Sequence, residues 1–126
     1  MKLKKGITLL SEKEGSGELV QRQQHYVLAI RLQLNHGEVI QTPNRCLSHS
    51  VDERNQVNDE GYFNHRVRIN RETLIAGIFY TVDTMRVGGY RKVTISPHLA
   101  YGEQGIPGII PPQAVITAEI HVIERG

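Results

Sequence analysis

The sequence predicts an α+β fold in which a curled antiparallel β-sheet is covered by one short α-helix. The first observation is the segment 116–122, where apolar and polar residues alternate with the period of a strand that has one buried and one solvated face. The second is a run whose apolar residues fall on one face of a helix: Leu74, Ile75, Ile78, Phe79, Val82 and Met85. A sheet with one apolar face must bury it, and this helix is the best candidate for the cover.

Five short segments have strand composition and are separated by clusters of Gly, Asn, Asp or Pro: Gly6–Leu10, His25–Leu34, His65–Ile69, Tyr90–Ser96 and Ala114–Ile123. Asn70 is the expected N-cap of the helix, and the Gly88-Gly89 pair is expected to end it. The run Asn35-His36-Gly37 predicts a hairpin turn with a positive φ at Gly37. Residues 41–64 are polar and mixed in charge, which predicts a long surface loop.

Composition restricts the possible functions. A chain of 126 residues that is 39% hydrophobic suits one compact domain spanning residues 1–126. The net charge of +2, from 15 basic and 13 acidic residues, lacks the concentrated positive field that nucleic-acid binding requires. The single Cys46 and the scattered histidines suggest neither a disulfide nor a metal site, so no cofactor is expected.

The N-terminal segment bears on targeting. The apolar run Ile7–Leu10 is shorter than the hydrophobic part of an export signal, and no segment is long enough to span a membrane. A cytoplasmic monomer without membrane contact is therefore expected.

The most distinctive stretch is Ala100–Pro112, which holds three prolines, three glycines and three isoleucines. Prolines fix φ and glycines allow a left-handed or closely approached backbone, so this segment predicts a rigid loop that displays apolar side chains and the phenol of Tyr101. Loops with such a defined shape often carry function.

Several motifs occur together in one order: Leu74–Gly77, Met85–Gly89, Lys92–Pro97, Ala100–Gly102 and Ile109–Pro112. In this order they resemble the FKBP-type peptidyl-prolyl cis-trans isomerases from about Arg71 to the C-terminus. The resemblance implies a half-barrel sheet around the helix, with a shallow apolar pocket between them that receives a proline. It also implies catalysis without a nucleophile or a metal.

The resemblance assigns roles to particular positions. Tyr101 matches the tyrosine whose hydroxyl bonds the carbonyl of a substrate or macrolide, and the backbone N–H of Ile75 matches a second donor. Leu74 lines the pocket from the start of the helix, and Ile109 with Ile110 matches its apolar flap.

Other positions depart from the family pattern. Ile78 replaces a tryptophan at the pocket floor, and Gln41 replaces an aspartate that polarises the pocket. Smaller or different side chains stand where the family has aromatic ones: Ile30, Ile40, Ala118 and, near a further such position, His65. These losses predict a smaller and less polar pocket.

Two hypotheses from different classes follow. The first is a slow prolyl isomerase that acts on X-Pro bonds in peptides or unfolded proteins and binds macrolides only weakly. The second is a non-catalytic FKBP-like module that binds a protein partner or chaperones a client without turning it over.

Overall fold

The computed structural model describes residues 3–34, 37–40, 60–71 and 74–126. Within this part of the chain, five strands form a single antiparallel sheet in the order β1-β4-β5-β2-β3, accompanied by one α-helix. Their bounds are β1 Ile7–Lys13, β2 His25–Gln33, β3 Phe63–Arg68, α1 Ala76–Val82, β4 Tyr90–Ile95 and β5 Ile116–Arg125. The predicted fold class is confirmed, and each predicted strand is present with its ends moved by three residues or fewer.

Strand β5 lies at the centre of the sheet and has the predicted alternation. Its inward residues are buried against the helix side of the sheet: Ile116, Ala118, Ile120 and Val122. Their burial joins β5 to the core formed by β2, β4 and α1. Because period two is an intrinsic property of extended backbone, a local pattern was sufficient to predict which side chains face inward.

The opposite face of the sheet carries a polar cluster around Glu119, which is 8% exposed. Its carboxylate accepts hydrogen bonds from Arg31 Nη1 at 2.9 Å and from the Tyr90 hydroxyl at 2.8 Å, and the Tyr62 hydroxyl lies 3.4 Å away. The His121 ring stacks obliquely on Tyr90, with ring centroids 4.6 Å apart. Burial, and next the hydrogen bond to Glu119, raises the pKa of the Tyr90 phenol well above its ordinary value.

Helix α1 lies so close to the sheet that only glycine fits at position 77. A Cβ atom placed there would clash with the side chain of Ile95 on β4. The Thr81 hydroxyl donates to the carbonyl of Gly77 at 2.6 Å, on the same buried side. This close approach sets the gap between helix and sheet in which the predicted pocket residues meet.

The predicted helix ends were wrong at both termini. Ile75, with φ −64° and ψ 155°, occupies the N-cap position without a side-chain cap, while the carbonyl of Asn70 accepts from the Leu74 N–H at 3.2 Å. The helix ends at Val82, before the Gly88-Gly89 pair. Leu74 and Ile75 are apolar because they belong to the core and not because they are helical, so the apolar stripe overestimated the helix.

A buried guanidinium helps to end the helix. Arg91 Nη1 donates to the carbonyl of Thr81 at 2.7 Å and to the Thr84 hydroxyl at 2.6 Å, and its Nε donates to Glu12 at 2.5 Å. The Arg91 side chain is only 5% exposed. One planar group therefore satisfies a carbonyl of the last helical turn and joins the helix to β1.

The turn after β2 agrees with the prediction where it is described. The Leu34 N–H donates to the carbonyl of Glu38 at 2.8 Å, and Gly37 has φ 88°. The predicted loop 41–64 ends earlier than expected, because β3 already begins at Phe63. Residues 41–59 of that loop, with Gln41 and Cys46, lie outside the described residues.

Candidate functional site

The predicted site residues come from four parts of the fold. Leu74 and Ile75 precede α1, and Ile78 is in its first turn. The sheet supplies Ile30 from β2 and Ala118 from β5. The remaining described members are Ile40, after the turn that follows β2, and the Pro-rich loop residues Tyr101, Ile109 and Ile110.

The structure brings these residues into one apolar cluster. Seven of them are between 0% and 8% exposed and belong to the same core: Ile30, Ile40, Leu74, Ile75, Ile78, Ile110 and Ala118. Tyr101 and Ile109 are partly buried and pack against that core. We call this set, from Ile30 to Ala118, the apolar site. Its seven buried members are closed to solvent, and Tyr101 and Ile109 are its partly exposed members.

The apolar site contains no charged side chain among its described members. The predicted hydrogen-bond donors to a substrate are therefore the Tyr101 hydroxyl and the backbone N–H of Ile75. In the described part of the chain, the Ile75 N–H donates to no other atom. Arg71 Nη1 donates to the neighbouring carbonyl of Leu74 at 2.7 Å, which holds this segment in place and was not anticipated from the sequence.

The Pro-rich loop is held by its own backbone. The N–H of Ile106 donates to the carbonyl of Ile110 at 2.9 Å, and the Ile110 N–H returns a bond to Ile106 at 2.8 Å. Gly105 turns the loop with φ 63°, and a Cβ atom there would clash with the carbonyl oxygens of Ile110 and Pro111. The loop that carries Tyr101 and Ile109 is thus a closed, internally bonded unit.

An aromatic residue that the sequence analysis missed lies beside the apolar site. Phe63, at the start of β3, is 2% exposed and pairs directly with Ile30 of β2. Directly opposed residues of antiparallel strands share a face, so the Phe63 ring is on the same face as Ile30. His65, which was aligned near an aromatic position, pairs instead with Leu28. The Tyr62-Phe63 pair at the end of the polar stretch was the available signal.

Two other rings of the helix have partners outside this cluster of site residues. Phe79 is buried, as its spacing predicts, and packs edge to face with Tyr80 at a centroid distance of 5.2 Å. Arg22 lies over the Phe79 ring at 5.3 Å, and Lys4 lies over the Tyr80 ring at 4.5 Å. Phe79 therefore contacts the segment before β2, and Tyr80 contacts the segment before β1.

An open apolar depression of about 500 Å³ adjoins the apolar site through two shared isoleucines. It lies between the turn after β2 and the Pro-rich loop and is lined by Leu34, Glu38, Gln104, Pro107, Gly108, Ile109, Ile110, Pro111 and Pro112. We call it the loop depression. For metals, no suitable group of ligands occurs among the described residues, and no helix in that part of the chain is long and apolar enough to cross a membrane.

Comparison with known sequences gives one matching family model and several relatives. A model of the family described as FKBP-type peptidyl-prolyl cis-trans isomerase matches residues 49–123, more than half of the chain. FK506-binding protein 4 of Chaetomium thermophilum is 27% identical over 98% of this chain and 22% of its own length. Peptidyl-prolyl cis-trans isomerase FKBP1A of Xenopus laevis is 42% identical over 44% of this chain and 51% of its own length.

Solved structures show the same fold. The crystal structure of AtFKBP13 matches with a TM-score of 0.74 at 22% identity, covering 98% of this chain and 96% of the other. A peptidyl-prolyl cis-trans isomerase from Pseudomonas syringae pv. tomato matches with a TM-score of 0.70 at 20% identity, covering 98% of this chain and 77% of the other. This chain spans about a fifth of the length of the Chaetomium relative and a tenth of that of mouse FKBP9, which is 38% identical over 46% of this chain.

Proposed function

The chain belongs to the FKBP-type peptidyl-prolyl cis-trans isomerase family, and on this premise we propose that it isomerises X-Pro bonds in peptides or unfolded proteins. The observation that supports the proposal is that Ile75 and Ile110 belong to one hydrophobic core and that Tyr101 and Ile109 pack against the same core. These groups lie in two separate parts of the chain, the segment before α1 and the Pro-rich loop, and that loop is held by the backbone hydrogen bonds described above.

The chemistry requires no proton transfer. Rotation about a peptide bond passes through a twisted state at a barrier of roughly 18–20 kcal/mol, and in that state the amide has lost its resonance and much of its charge separation. A dry surface therefore favours the twisted imide over the planar one. A preference of about 4 kcal/mol would accelerate the exchange by roughly a thousandfold.

The residues have distinct roles in this proposal. The prolyl ring contacts Ile75, Tyr101 and Ile109, which are the members of the apolar site nearest to solvent. The Tyr101 hydroxyl and the Ile75 N–H donate hydrogen bonds to carbonyl groups beside the proline. Behind them, Ile78 and Ala118 exclude water from the rotating bond. Macrolides that offer similar carbonyl groups would bind weakly, because this apolar site has few aromatic rings.

The test is a peptide exchange assay on the folded domain. We expect the cis-trans exchange rate of an apolar X-Pro peptide to rise linearly with micromolar concentrations of the protein. The measurement is exchange NMR, or a protease-coupled assay as a cross-check, with circular dichroism to confirm folding. A rate equal to the spontaneous one, in a sample that is folded, would remove the isomerase proposal.

One observation favours a second candidate, a module that binds clients without turnover. Ile78 and Ala118 are fully buried, so the floor of the apolar site is closed in the free chain. A closed floor would leave only a shallow surface for the proline and would stabilise the twisted imide less. Binding of a prolyl peptide at micromolar affinity without any change in its exchange rate would support this candidate over the enzyme.

A further inference from the structure

The loop depression borders the apolar site, and the proposed function gives it no role. Its walls are Leu34 and Glu38 on one side and the Pro-rich loop, from Gln104 to Pro112, on the other. A client peptide that placed its proline against Ile109 would extend the residues beside that proline over this surface, because each residue of an extended peptide advances by about 3.3 Å. Whatever the depression binds therefore lies within a few residues of the proline.

Both walls are ordered by their own hydrogen bonds. The turn wall is closed by the Leu34 N–H donating to Glu38 at 2.8 Å and the Gly37 N–H donating to Leu34 at 2.9 Å. In the loop wall, the paired bonds between Ile106 and Ile110 do the same. A surface that is formed before binding saves the entropy of ordering it, which favours recognition of an extended segment.

The charge on this surface is acidic although the chain as a whole is basic. Among the described lining residues, Glu38 is the one charged side chain; it is exposed and forms no ion pair with any residue that the structure describes. Glu103, next to the lining residue Gln104, is also exposed. The sequence holds no lysine or arginine between Arg31 and Arg45, nor between Lys92 and Arg125, although the net charge is +2. Among the described residues, both walls thus lack lysine and arginine, and the charged side chains at or next to the lining, Glu38 and Glu103, are acidic.

We propose that the loop depression is a docking surface for the residues beside the proline, and that Glu38 selects client segments carrying a lysine or arginine within three residues of it. The inference rests on the proposed function, since it assumes that the proline occupies the apolar site. Apolar client residues cover Leu34 and Pro107, and the basic group pairs with the Glu38 carboxylate at the rim. Acidic or phosphorylated segments are disfavoured by like charge.

The experiment compares peptides that differ in one side chain. A prolyl peptide with apolar residues elsewhere carries Lys, Gln or Glu at one position, scanned over the three residues on each side of the proline. Exchange NMR measures kcat/KM without a protease, whose own side-chain preference would obscure the result. At low salt we expect Lys to exceed Glu by about three- to tenfold at one or more positions, with Gln between them, as for one exposed charge pair.

Matched variants test whether the preference for Lys over Glu peptides arises from Glu38. In Glu38→Gln the ratio of Lys to Glu peptides is expected to fall towards one, and in Glu38→Lys it is expected to reverse. Glu124→Gln makes the same charge change on an exposed residue at the far end of β5. It lies about 23 Å along the strand, at 3.3 Å per residue, from Thr117, which pairs with Gln33 next to the lining residue Leu34. That control should keep the wild-type ratio. In 0.5 M NaCl the wild-type ratio should also shrink.

Each outcome bears on the inference. If the peptides are turned over but all six positions give ratios within twofold of one, or if the preference survives in Glu38→Gln, the docking inference fails while the isomerase proposal stands. If no peptide is turned over, the isomerase proposal fails, and fluorescence anisotropy of the same labelled peptides decides the docking question. Tighter binding of the Lys peptide that disappears in Glu38→Gln supports the inference; equal affinity, or no binding, overturns it.

Discussion

The rigidity of the Pro-rich loop can be tested at two glycines that differ in one structural respect. Gly105 and Gly108 both have positive φ, 63° and 79°, so alanine is strained at either position. At Gly108 an added Cβ would meet nothing within 4 Å, whereas at Gly105 it would clash with two carbonyl oxygens of the loop. The pair therefore separates backbone strain from crowding.

The expected magnitudes follow from this difference. A left-handed alanine costs roughly 1–2 kcal/mol, partly offset by about 0.4–1 kcal/mol from the reduced entropy of the unfolded chain. Gly108→Ala should therefore lower the free energy of unfolding by about 1 kcal/mol. Gly105→Ala must also displace Ile110 and weaken its two hydrogen bonds with Ile106, each worth about 1 kcal/mol. Its total loss should be about 3 kcal/mol.

Urea denaturation measures the two losses, and the exchange assay measures the consequence for the site. An added Cβ at Gly105 would displace the loop backbone at Ile110, and Ile109 would move with it. Gly105→Ala should therefore also reduce kcat/KM by more than tenfold, while Gly108→Ala should keep most of the wild-type kcat/KM. Equal losses of stability in the two variants would refute the reasoning, because they would show that the close approach of the loop backbone to Gly105 does not affect the free energy of unfolding.

Four further predictions concern the site and its support. Tyr101→Phe should lower kcat/KM by about two- to tenfold, the value of one hydrogen bond, without unfolding the domain; an unchanged rate would remove the hydroxyl from the mechanism. Arg91→Lys should lower the free energy of unfolding by about 3 kcal/mol in urea, far more than the exposed control Arg22→Lys, because lysine cannot replace the buried fork. Folding raises the pKa of Tyr90 beside Glu119, so the native state retains a proton that the unfolded chain releases above about pH 10. The stability from this group is complete below that pH and is lost as pH rises, and Tyr90→Phe should show a shallower decline in alkaline urea titrations. Calorimetric titration with a macrolide such as FK506 should give a dissociation constant of micromolar or weaker, and nanomolar affinity would contradict an aromatic-poor site.

Much of the site was predictable where the signal is local. The alternation around Ala118 predicted its inward direction, and the glycines and prolines of the Pro-rich loop predicted a shaped segment around Tyr101. Both inferences depend on dihedral preferences that act over a few residues. The order of motifs from Leu74 to Pro112 then added the family, which local periodicity alone does not identify.

The failed predictions share one cause, which is that tertiary packing overrides a local pattern. Apolar residues at helical spacing predict that Leu74 and Ile75 are helical, yet both are buried in the segment before α1. Asn70 therefore does not cap the helix. The polar composition of residues 41–64 predicts a loop at Phe63, yet pairing with Ile30 places Phe63 in the sheet. Strand register depends on which partner is available, and a single segment does not reveal that.

The sequence by itself determined the fold class, the inward face of the central strand and the identity of the loop that carries Tyr101, since each follows from backbone preferences within a short window. Only the tertiary structure decided that Phe63 lies opposite Ile30, that Gly77 lets the helix approach Ile95, and that Glu38 and the Pro-rich loop share one depression. Those contacts join segments distant in the chain, and they form because the whole core gains more free energy from mutual burial than any segment gains alone.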